Sequence, residues 1–101
     1  MFTVILESVD NERLDSVGQE GNAEYLPQDD EYVFKMLGDL ATCAYDVFGS
    51  NDMKELLIEL EQLKSRLFDF YQINHIEEII QLAERCQTIE HSRLIFTPFE
   101  K

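Results

Sequence analysis

Positive charge is scarce in this chain: 8 lysines and arginines face 21 aspartates and glutamates, a formal net charge of −13 over 101 residues. So negative a surface repels bare nucleic acid and anionic membranes, and neither is expected as a direct partner. Arg85, Arg93 and Lys101 stand among Glu84, Glu90 and Glu100, with no basic stripe interleaved with aromatics. Cysteine is sparse as well. Cys43 and Cys86 are too few for a disulfide framework, and each sits in an apolar-periodic stretch as a small buried hydrophobe of a reducing compartment. No apolar run approaches the ~20 residues that span a bilayer. Residues 1–6 lack the positive region that precedes a signal-peptide core, so the cytoplasm is the expected location. Four glycines and two prolines leave most of the length free to enter regular structure. With 45% hydrophobic residues, the composition is that of one globular domain over 1–101.

Motifs that carry chemistry are missing too. The glycines are too dispersed to cradle a phosphate. His75 and His91 are the only histidines, and neither cysteine has a second one at zinc-ligand spacing. The Glu-x-x-His repeat of a di-metal helical site is absent, as is the EF-hand loop. Asp29-Asp30-Glu31 and Glu77-Glu78 are explained first as helix-start carboxylates. No cofactor, metal site or catalytic activity is expected.

Regular structure is legible along the chain. Phe2 to Ser8 reads as a buried strand, and Arg13 to Val17 as a short edge strand inside an irregular stretch, 9–28. A first helix is expected from Asp29-Asp30-Glu31 to Gly49, with Val33, Leu37, Leu40, Ala44 and Val47 at helical spacing. A second is capped by Ser50 or Asn51 and carries Met53, Leu56, Leu60, Leu63, Leu67 and Phe70 on one face. A third is capped by Asn74, with Ile76, Ile79, Ile80, Ala83 and Cys86 turned inward. Arg93 to Thr97 makes the last strand. The expected class is α+β: three amphipathic helices packed on a small β-sheet formed by the N- and C-terminal strands.

The acid is unevenly placed. Residues 1–31 hold nine acids and one base, net −8, whereas residues 32–101 hold twelve acids and seven bases, net −5. The concentration falls on the segment least committed to regular structure. Glu12, Asp15, Glu20, Glu24, Asp29, Asp30 and Glu31 are therefore the candidate rim of a protein-binding surface, with Tyr25, Leu26 and Tyr32 as its apolar anchors. Carboxylates steer and pair with a basic partner while buried rings supply affinity. A solvated acidic loop that serves only solubility is the plainer alternative. So is a subunit that acts through homo-oligomer or multiprotein contacts.

The short N-terminal strand, acidic loop, Asp29-Asp30-Glu31 helix start and terminal Leu94-Ile95-Phe96 strand resemble a small acidic bacterial toxin-neutralising immunity protein. The resemblance implies an inhibitor of a basic toxin domain, a nuclease in many such systems, whose active site it occludes. It places the chain in bacterial competition of the contact-dependent growth inhibition kind.

Overall fold

The computed structural model describes residues 1–28, 32–40 and 44–99. Among them run strands β1 (Thr3–Glu7), β2 (Arg13–Gly18) and β3 (Asp46–Gly49), helices α1 (Met53–Arg66) and α2 (Phe70–Thr88), and strand β4 (Arg93–Thr97). The strands form one antiparallel sheet in the order β2-β1-β4-β3. The two terminal strands pair at its centre, from Thr3 opposite Thr97 to Glu7 opposite Arg93. Successive side chains of a strand alternate between faces. Val4, Leu6, Leu94 and Phe96 thus share one face and are fully buried, while Ile5 and Ile95 share the other and remain partly exposed. Helix α2 lies against β1, β2 and β4, and α1 packs along α2.

The helices follow from their sequence periods. Met53, Leu56, Leu60 and Leu63 recur every three or four residues and are buried, as are Ile76, Ile79, Ala83 and Cys86. Helix α2 begins four residues before the expected Asn74 cap. Asp69 accepts from the N–H groups of Tyr71 and Gln72 at 2.8 and 3.4 Å, satisfying donors that a helix start leaves open. This cap also ends the preceding helix at Arg66 instead of Phe70.

The expected first helix is corrected: two α-helices pack with a four-stranded sheet, where three helices were expected on a sheet of the terminal strands. Of the expected stripe Leu37 and Leu40 are buried, with Phe34 beside them, while Val33, Ala44 and Val47 are exposed. The backbone carrying Phe34, Leu37 and Leu40 makes only a 3-10 turn, Leu37–Asp39, and Leu40 leaves it extended. A carboxylate from another element supplies the missing hydrogen bonds. Glu59, buried on the inner side of α1, accepts from Met36 N–H at 3.0 and 3.1 Å and from Leu37 N–H at 2.9 Å. Arg66 lies over the Phe34 ring at 4.8 Å. Further on, Val47 and Phe48 pair with Ile95 and Leu94 as strand β3. β-Branched and aromatic residues suit that half-buried sheet edge. The proposed caps Asp29, Asp30 and Glu31, and also Cys43, lie outside the described residues.

Candidate functional site

The corner between the helices, 67–69, is made by the Asp69 cap, and it turns large rings outward. Phe68 is 97% exposed, Phe70 76% and Tyr71 73%. Nothing in α2 requires this, because its inward stripe starts only at His75 and Ile76. Three aromatic side chains in four residues, left uncovered, are far more apolar surface than a helix start needs.

Beside this corner opens a cleft of about 360 Å³, lined by Gln19 and Glu20 after β2 and by Tyr71, Asn74, His75 and Glu78 of α2. Its two sides are tied together: Gln19 Nε2 donates to the Tyr71 carbonyl at 3.1 Å, and the Tyr25 hydroxyl donates to Gln19 Oε1. Tyr25 packs edge-on against His75 with ring centroids 6.4 Å apart. Its pKa is pushed up to about 12 by burial, reinforced by the negative charges of Asp69 and Glu78. Burial also drives the His75 pKa below its ordinary value, and it outweighs the opposite pull of Glu78 at 3.4 Å. The cleft is therefore negative at its rim and neutral at its floor.

Among the described residues, those expected to form one acidic rim do not gather in one place. Glu12 lies in the β1–β2 turn and Glu20 beyond the other end of β2, and a six-residue strand keeps such ends roughly 20 Å apart. Asp15 is paired with Arg85 of α2 at 2.8 Å. Glu24 is exposed in the short 3-10 turn Asn22–Glu24. Tyr25 and Leu26 are buried core residues, so they hold the loop down and are not exposed anchors. Asp29, Asp30 and Glu31 lie outside the described residues. Tyr32 is 97% exposed but borders a different depression, of about 170 Å³, with Val33, Lys35, Glu55 and Ile58. Of the expected residues that are described, only Glu20 lines the cleft.

In the sequence Phe68, Phe70 and Tyr71 cluster at the expected end of the second helix, where they read as core or a packing surface; the structure leaves all three exposed. A readable signal existed: Asp69 followed by Gln72 has the spacing of an N-terminal capping box. It moves the helix start to Phe70 and breaks the stripe that would have buried these rings.

Among the described residues, no group of three or more His, Cys, Asp or Glu side chains is arranged to hold a metal ion. Among the same residues, no helix is long and apolar enough to cross a membrane. Comparison with protein-family models, curated proteins and solved structures returned no match.

Proposed function

We propose that this chain is a binding protein that covers a cationic surface of another protein, in the manner of a toxin-neutralising inhibitor, and that it does so without catalysing a reaction. The observation that carries this proposal is the uncovered aromatic corner of Phe68, Phe70 and Tyr71 beside a cleft edged by Glu20 and Glu78. Rings and carboxylates divide the work. Covering the three rings takes roughly 400 Å² out of water, about 10 kcal/mol gross, against an association cost of roughly 4–15 kcal/mol. The rings are thus necessary for affinity and do not suffice alone. The acids act at longer range: a net charge of −13 accelerates encounter with a basic protein, and salt weakens that effect within a Debye length of about 10 Å.

An arginine- or lysine-rich patch is the matching surface. Its cations pair with Glu20, Asp69 and Glu78 and stack on the exposed rings, a contact worth about 0.5–2 kcal/mol for each well-placed pair. A protein that uses such a patch to hold nucleic acid would lose access to its substrate once covered. The test is a kinetic one on a partner captured from the native host. Reversing Glu20 and Glu78 to lysine should slow association at low salt by about tenfold, with the circular dichroism spectrum unchanged. The captured protein's activity should fall in proportion to added chain up to one equivalent. Unchanged association of the charge-reversed variant would remove the cleft from the interface, and undiminished activity of the saturated complex would rule out inhibition.

A further inference from the structure

Behind the cleft, three buried polar groups meet through hydrogen bonds whose direction is fixed. The Phe2 N–H donates to Asn22 Oδ1 at 2.7 Å, and Asn22 Nδ2 donates to the Phe2 carbonyl at 2.8 Å. These two bonds determine which way the Asn22 amide points. Its Nδ2 also lies 3.1 Å from His75 Nε2. Since Nδ2 is a donor only, Nε2 must accept, and the ring proton sits on Nδ1 facing Glu78 Oε1 at 3.4 Å. The backbone of Phe2 thereby holds His75 neutral and in one tautomer.

We propose that Phe2, Asn22 and His75 form an acid-sensitive latch: protonation of His75 at Nε2 opens the clasp and frees the start of β1 together with the 19–26 segment. An imidazolium donates from both nitrogens, so donor then meets donor at Asn22 Nδ2. Turning the amide over does not relieve this. It would give the ring an acceptor but would set Nδ2 against the Phe2 N–H and Oδ1 against the Phe2 carbonyl. Phe2, Asn22 and His75 are buried, and His75 meets the cleft only at its lining. Separation of the three groups relieves the donor–donor contact most directly.

The charged neighbours set the direction of the response. On α2, Glu78 is exposed and favours the protonated ring. From the 19–26 segment Tyr25 meets the ring edge-on and stays neutral, and Glu20 borders the same cleft. β1 contributes no ionisable side chain from Phe2 to Leu6. Burial outweighs Glu78, which lowers the His75 pKa from its ordinary 6.5 in the closed form. The open form binds the proton more tightly than the closed form. The latch is therefore fully engaged above pH 6.5 and weakens as pH falls from there towards the depressed closed-state value.

The test follows the Phe2 and Asn22 backbone amides of the whole chain by hydrogen exchange, corrected for intrinsic rate, from pH 7.5 to 5. Protection of both should fall as the pH drops below 6.5, by at most about tenfold per pH unit, and level off at the depressed closed-state value. In His75→Gln, whose side-chain oxygen can still accept from Asn22 but takes up no proton, protection should stay level. A parallel loss in His75→Gln, or level protection in the wild type, would overturn the latch. A wild-type measurement guards against a variant that does not fold: the His75 ring carbons and the Phe2 amide must titrate with one shared midpoint. Separate midpoints would refute the coupling.

Discussion

The outer face of the sheet and the corner between the helices both show apolar side chains to solvent, but under different conditions. On the sheet, Ile5, Ile95 and Val47 stand side by side across three strands, and even Val47 on the edge strand keeps only 46% exposure. Beside them Arg93 donates to Glu7 at 2.7 Å and to the Ser8 carbonyl at 3.0 Å, pinning the β1–β2 turn with the same side chain. These apolar residues shelter one another and sit among groups with structural duties. At the corner, Phe68 is 97% exposed and no neighbouring ring shelters it. Exposure on a sheet face is what a one-sided antiparallel sheet entails. Exposure of three rings at a helix start is not entailed by the fold, and the proposed recognition rests on it.

If that contrast is sound, scaffold residues change stability and corner residues change binding. Leu60→Ala, in the middle of the buried face of α1, should cost about 2–5 kcal/mol of unfolding free energy by denaturant titration. Glu59→Ala should cost about 2–3 kcal/mol, because it leaves the Met36 and Leu37 N–H groups without their acceptor. Replacing Phe68, Phe70 and Tyr71 together by alanine should weaken partner binding by at least about 2 kcal/mol, roughly thirtyfold in Kd. The unfolding free energy of that variant should change by no more than about 0.5 kcal/mol for each site. Arg93→Ala should cost about 1 kcal/mol or less, since its pair with Glu7 is partly exposed, and calorimetry should find its partner affinity unchanged. A corner variant that unfolds easily, or an Arg93 variant that fails to bind, would break the contrast.

The parts of the fold that were legible are those where local pattern and tertiary role agree. β1 and β4 alternate, α2 has a long inward stripe, and Arg13 to Val17 lies within the edge strand as expected. Residues 32–40 were misread because Phe34, Leu37 and Leu40 bury at helical spacing without forming an α-helix. What decides that segment is Glu59, some twenty residues away, a carboxylate lodged between Leu56 and Leu60 on the apolar side of α1. A charge in a buried stripe was the visible clue, since burying it demands fixed donors. The candidate site was less legible. Charge counting named Glu20, which borders the cleft, together with Asp15, which pairs with Arg85, and Tyr25 and Leu26, which are buried in the core. Sequence distance hid the pairing of Asn22 with His75, 53 residues apart.

The most direct measurement is affinity capture from native-host lysate with two baits side by side, the wild-type chain and the variant with Phe68, Phe70 and Tyr71 replaced by alanine, each at low and moderate salt. Recognition through the corner predicts a basic protein retained by the wild type, diminished by salt, and lost from the variant. The same basic protein on both baits, or recovery of only further copies of this chain, would contradict it.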